Sequence, residues 1–207
     1  MAKATASLDV LSGGRVELGL GAGGFWDAIA AMGGPRRSGP ESVDALEEAI
    51  AVIRAMWSTD RSARVPGRVY ALDGVHPGPA PAHPIGIWLG AYGPRMMKVT
   101  GRLADGWLPS VPNLPPADVP ARHAAIDEAA RRAGRDPAAI VRAVNLALQG
   151  DPASWADQVL RAHEALRFTV FVLSADDGGD PVGLVRRLGE DVAPSVREAL
   201  GQAPGGR

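Results

Sequence analysis

Five short apolar runs, each followed by a segment of helical pattern, constrain this chain more than any other feature of its sequence. The runs are Val16–Gly21, Ile85–Leu89, Trp107–Ser110, Ile140–Leu148 and Phe168–Leu173. Runs with little polar alternation are strands covered on both faces, and helices between them connect parallel neighbours. The helical segments are Phe25–Met32, Glu41–Trp57, Arg95–Leu103, Ala117–Ala133 and Pro152–Leu166. Glu41–Trp57 is the clearest: Val43, Leu46, Ile50, Ile53 and Met56 recur at three and four, and acidic residues crowd its first turns. Gly183–Leu188 and Ala193–Leu200 form a helical tail over 175–207, and the Pro- and Gly-rich stretch 61–84 is an excursion, with Arg68–Leu72 a candidate strand. The expected fold class is α/β, parallel, in a single domain spanning 1–207. A closed (β/α)8 barrel takes typically about 250 residues, so 207 residues lie near the lower limit.

Composition narrows the function classes. There is no cysteine, which removes disulfides, thiolate metal sites, iron–sulfur clusters and a cysteine nucleophile together. A formal charge of −1 gives no basic excess for nucleic acid or an anionic membrane. No run approaches the roughly 18 apolar residues of a membrane helix, and Met1–Thr5 lacks the apolar core of a signal peptide. A cytoplasmic protein acting on a small molecule is the expectation.

Two strand-to-helix turns are rich in glycine. Gly19, Gly21 and Gly24 satisfy G-x-G-x-x-G after a strand, a spacing that lets backbone approach a diphosphate. With 26 glycines in the chain such spacings also arise by chance. The acidic residue a dinucleotide fold wants about 20 positions on has only Asp44 as candidate, inside a helix. An NAD(P)-binding α/β domain therefore stays open as an alternative. The second turn is Leu89-Gly-Ala-Tyr-Gly-Pro-Arg. Gly90 and Gly93 leave room for an anion, Pro94 suits the first helical position, and Arg95 adds charge. Equally, any strand-to-helix connection favours Gly and Pro.

Four stretches, in this order, resemble the luciferase-like monooxygenases: Ser7-Leu-Asp-Val-Leu-Ser-Gly-Gly-Arg-Val-Glu-Leu-Gly-Leu-Gly-Ala-Gly, Leu46–Trp57, Ile87-Trp-Leu-Gly-Ala-Tyr-Gly-Pro-Arg and Gly101-Arg-Leu-Ala-Asp-Gly-Trp. The resemblance implies a TIM-barrel-like (β/α)8 fold, here a partial barrel of strands four to eight with the first three lacking and an excursion after the first helix. It implies a flavin- or deazaflavin-dependent oxidoreductase: FMN with oxygen, or hydride transfer with deazaflavin F420. By resemblance the cofactor's phosphate and ribityl chain lie against Gly90, Ala91, Tyr92, Gly93 and Pro94, with Ser110 supplying a hydroxyl. Gly23 and Asp27, in the turn Ala22–Asp27, approach the ring or its tail. Gly24 stands where some relatives carry an acid, so no catalytic residue is assigned. A homodimer formed through Glu41–Trp57 is expected, with a flavin reductase as partner if FMN is the cofactor. A catalytically inactive barrel fragment is the alternative.

The remaining polar residues read as structural. His76 and His83 sit in a proline-rich loop and read as solvated; His123 and His163 read as helix-surface residues. No two histidines have metal-ligand spacing. Trp88 and Trp107 read as core, Asp105 as a turn residue, and no serine has a histidine partner at a readable spacing.

Overall fold

The computed structural model describes residues 1–176 and 178–202. The chain runs α1 (Ala2–Ser12), β1 (Leu18–Gly21), α2 (Trp26–Ala31), α3 (Gly39–Met56), β2 (Ala63–Val65), β3 (Leu72–Val75), β4 (Ile87–Gly90), α4 (Pro94–Leu103), β5 (Gly106–Trp107), α5 (Val119–Arg132), β6 (Val141–Ala147), α6 (Trp155–Leu166), β7 (Val170–Ser174), α7 (Pro181–Arg187) and α8 (Ala193–Ala199). One π-helical stretch, Leu188–Val192, joins α7 to α8. Part of the expected tail, at 177 and 203–207, lies outside the described residues.

The main sheet has the order β1-β4-β5-β6-β7, every pair parallel. Its strands therefore follow one another in sequence order, with only the β2–β3 hairpin set aside. A dinucleotide-binding sheet needs a reversal of strand order to open its crevice, and none is present among the described residues. That overturns the NAD(P) alternative and leaves a sheet built like an arc of a barrel.

Strand alternation sorts the sheet into two faces. Leu18, Leu20, Ile87, Leu89, Trp107, Val144 and Phe171 belong to one apolar cluster with α3, α4 and α5. The intervening Gly19, Gly21, Trp88, Gly90, Gly106, Asn145 and Val172 fall on the opposite face by register. Burying each large side chain on the helix side contributes roughly 1.5–3 kcal/mol, and Trp107 and Phe168 are wholly buried there.

Helix α3 begins at a capping box in which Ser38 and Glu41 each satisfy the other's backbone N–H. Its stripe of Val43, Leu46, Ile50, Ile53 and Met56 is buried against the chain's own core. The stripe that suggested a homodimer is thus consumed within the protomer. Helices α4 and α5 cross closely at Gly101, where an added Cβ would collide with the Ile126 carbonyl oxygen.

Residues 68–70 form a turn where a strand was expected. The Glu48 carboxylate of α3 accepts hydrogen bonds from the backbone N–H groups of Arg68, Val69 and Tyr70 at 3.0, 2.7 and 2.8 Å. Their donors are thereby unavailable to a ladder, and β2 and β3 pair antiparallel on either side.

Candidate functional site

At the C-terminal ends of the first two sheet strands, Gly21 and Gly90 are register partners. A Cβ on Gly21 would lie 3.9 Å from the Gly90 oxygen, and one on Gly90 3.6 Å from the Leu108 oxygen. With Gly19 beside them, they form a strip of bare backbone that a planar or chain-like group can approach closely.

The β4–α4 turn follows directly. Ala91 is buried and its carbonyl accepts the Trp107 indole N–H at 2.9 Å, fixing the turn to β5. The half-buried Tyr92 hydroxyl accepts the backbone N–H of Ser110 at 2.9 Å. Gly93 is the N-cap of α4 and Pro94 its first residue; no side chain caps the helix. An added Cβ on Gly93 would find nothing within 4 Å. First-turn N–H groups have no helical partner and the dipole there favours an anion, so the turn presents uncapped donors to open space.

Ser110 lies three residues beyond β5, bridged to Asn145 of β6. Its hydroxyl oxygen accepts from the Asn145 side-chain amide at 3.2 Å, and the Asn145 backbone N–H donates to the Pro109 carbonyl at 2.9 Å. Tyr92, Ser110 and Asn145 thus form one hydrogen-bonded row across three strand ends. Asn145 was not among the expected site residues. Its signal was a lone amide in the otherwise mostly apolar run Ile140–Leu148.

Other expectations change with the structure. Arg95 turns away from the cradle: its guanidinium binds Asp44, the Pro40 carbonyl at 3.1 Å and Glu47 at 3.5 Å, tying α4 to α3. Gly23 has φ +101°, and a Cβ there would strike the Trp26 ring at 2.8 Å. Asp27 is almost fully exposed and its carboxylate is held by Arg36. Trp88 lies on the glycine-lined face, where its ring covers Gly106.

Two histidines expected at the surface are built in. His83 Nδ1 lies 2.9 Å from the fully buried Asp9, which also accepts from the backbone N–H groups of Ala82, His83 and Val16. Burial alone would raise the Asp9 carboxyl, but these hydrogen bonds outweigh it and hold it below the usual carboxylate range. His123 stands edge-on to Trp107 at 5.2 Å and accepts from Arg142 Nε at 3.0 Å. Burial lowers its pKa, helped by the nearby Arg142 charge. Asp105 accepts from the Ile87 backbone N–H and from Arg54, bracing the β4 entry. Among the described residues, no group of three or more His, Asp or Glu is placed to hold a metal ion, and no helix is long and apolar enough to cross a membrane.

Parallel strands in sequence order, with the candidate residues gathered at their C-terminal ends, are the arrangement of a (β/α)-barrel protein. Comparison supplies the family: a model described as luciferase-like monooxygenase matches residues 1–178, and the chain belongs to that family. The F420-dependent hydroxymycolic acid dehydrogenase of Mycobacterium tuberculosis is 35% identical over 211 residues, 99% of this chain and 54% of that protein. The chain spans about half the length of the curated relatives it matches. Among solved structures, an F420-dependent secondary alcohol dehydrogenase in complex with an F420–acetone adduct superposes with TM-score 0.80 at 20% identity, covering 95% of this chain and 74% of that one. A riboflavin lyase with modified FMN and riboflavin superposes at 0.78 and 15% identity, over 99% of this chain and 68% of that one. Both likenesses establish the fold.

Proposed function

We propose that this chain carries the phosphate-and-chain half of the cofactor site of a luciferase-like oxidoreductase that transfers hydride between deazaflavin F420 and a small-molecule substrate. One observation carries the reading: the α4 N-terminus is uncapped, and the space in front of Gly93 is open. The first-turn N–H groups would hold the phosphate, the Gly19–Gly21–Gly90 strip would admit the chain, and the Ser110 hydroxyl would donate to it. The F420-dependent relative supports the choice of deazaflavin.

When bound, the deazaflavin supplies the hydride chemistry; this chain's residues bind, orient and exclude water. No acid or base is assigned, because the row of Tyr92, Ser110 and Asn145 is spent on binding geometry. The riboflavin lyase neighbour with its modified FMN supports a second reading, in which reduced FMN and oxygen are used and a flavin reductase is the partner. A cytoplasmic setting, for which the absence of cysteine speaks, completes the proposal.

Fluorescence titration with F420 and with FMN tests it. Saturable micromolar binding is expected, with F420 the tighter ligand. Folded protein that binds neither is an inactive barrel fragment, and the proposal fails.

A further inference from the structure

Helix α2 hangs from the C-terminal end of β1, and none of its residues is buried. Phe25 just before it is 86% exposed and Met32 just after it 80%. With Ile29 they fall at i, i+4 and i+7, so the three share one helical face about 10 Å long at 1.5 Å per residue. The Ile29 N–H donates to the Phe25 carbonyl at 2.9 Å and the Met32 N–H to the Ala28 carbonyl at 3.1 Å, which carries the helical spacing through both ends. Trp26 beside them is half-buried, its ring against Gly23. Asp27 stands off the stripe, held by Arg36, and Arg37 follows at once. The segment is anchored on either side and unsupported between. Before it, Gly21 is fixed in register with Gly90. After it, Arg37 lies 5.7 Å from the centre of the Tyr70 ring and Ser38 opens the capping box of α3. Gly23 at φ +101° and Gly33 at φ +81° turn the chain out and back, in backbone that glycine enters without a Cβ penalty. No other helix or strand among the described residues packs broadly against α2.

We infer that α2 is a membrane-docking flap: Phe25, Ile29 and Met32 enter the headgroup–acyl boundary of a phospholipid surface, with Arg36 and Arg37 at the level of its phosphates. The size of the stripe selects the occupant. A stable protein partner takes about 800 Å² from the face it covers. Three side chains, even at the roughly 150–250 Å² of a buried aromatic each, fall short of that. A lipid surface sets no such minimum, because each apolar side chain that enters it gains on its own. Aromatic and aliphatic residues on one side of a short helix, with arginines next to them, are also the pattern of segments that lie in that boundary. The formal charge of the chain is −1, so apolar insertion supplies the affinity. The two arginines add contacts to lipid phosphates without requiring an anionic membrane. Because α2 leaves from the strand end that holds Gly21 beside Gly90, docking turns that end of the sheet toward the lipid.

The test titrates the chain with phosphatidylcholine vesicles and follows binding by co-sedimentation and by the emission of Trp26, taken as the difference from Trp26→Phe. The unaltered chain should partition onto the vesicles with a blue shift of that emission. Brominated acyl chains should quench it, as a helix seated roughly 5–10 Å into the boundary requires. Phe25→Ser and Met32→Ser should each weaken partitioning about tenfold or more, the share of one large apolar side chain. Both residues are exposed, so neither change should lower the melting temperature. Leu11→Ser is the control: Leu11 is 84% exposed but lies on α1, before the opposite end of β1, and its loss should leave partitioning unchanged. Raising the salt concentration should have little effect, unlike adsorption by charge. A chain that stays in the supernatant overturns the inference, as does partitioning that survives both flap substitutions or falls equally with Leu11→Ser. Self-association abolished by Phe25→Ser and Met32→Ser, in a chain that ignores vesicles, would assign the stripe to a second copy and overturn it too.

Discussion

Ser110 offers a hydroxyl at a strand end, but a free hydroxyl rotates and a phosphate or ribityl chain gains little from a donor that points elsewhere. The Asn145 amide, 3.2 Å away, occupies one lone pair of that oxygen and so orients its proton. Asn145 is a positioning residue acting through Ser110. Removing a neutral hydrogen bond loses about 1 kcal/mol, so Ser110→Ala should weaken cofactor binding roughly fivefold. Asn145→Ala should cost somewhat less, and nothing further in the Ser110→Ala background. Additive losses in that double-mutant cycle would show that Asn145 acts on its own. Ser110 could be named from the sequence as the end of the apolar run Trp107–Ser110, and its part in cofactor binding is the proposal these variants test. Asn145 could not, because its meaning depends on a neighbour 35 residues away. His83 failed for the same reason: its loop looks solvent-exposed until Asp9, 74 residues earlier, is brought against it.

The β4–α4 turn separates binding from folding more cleanly than any other element. Gly93 has room for a side chain and an extended backbone, φ −79°. Gly93→Asp would cap α4 with its own carboxylate, leaving the melting temperature unchanged or slightly raised. The same carboxylate would fill the space before the helix and repel phosphate, so binding of F420 or FMN should fall by more than tenfold. Gly101→Ala should do the reverse. Its Cβ would meet the α5 backbone, destabilising the pair by roughly 1–3 kcal/mol by overpacking, with binding preserved in the folded fraction. Helix α5 also carries a pH signature. His123 accepts from Arg142 and donates from Nε2 to the Leu166 carbonyl at 3.0 Å, so it is held neutral, with its pKa below the ordinary histidine value. A histidine depressed in the folded state adds stability above its unfolded pKa and loses it as pH falls. The melting temperature should therefore decline from about pH 7 to pH 5, and His123→Phe should flatten that slope while lowering the value at pH 7. The helices were legible from periodicity. The exception is α1, which was not among the expected helices, because the exposed Leu8, Val10 and Leu11 blur its stripe.

At the scale of the molecule, β1 and β7 are the two ends of the sheet, and each presents a row of backbone donors and acceptors with no strand beyond it among the described residues. Barrel closure removes such edges; here five strands cover an arc that superposes on complete barrels. The glycine-lined face beside them carries Val172, 47% exposed, where an inner barrel wall would ordinarily face packed side chains. Strand order and parallel pairing were legible from sequence because alternation and Gly-terminated runs report them locally. Which face would stay uncovered was not, since both faces of each run are apolar or bare. The arc predicts the behaviour of a polypeptide made of these 207 residues alone. It should self-associate through β1 and β7 in a concentration-dependent way, seen by light scattering. Val172→Lys, placing a charge on the exposed face of the edge strand, should reduce that association. Supplying the N-terminal half of the dehydrogenase relative in trans should do more, giving a one-to-one complex with both edges paired and cofactor affinity raised. A monodisperse, edge-indifferent monomer would mean that the loops and α1 already shield both edges, and the site would then have to work as an open half-barrel.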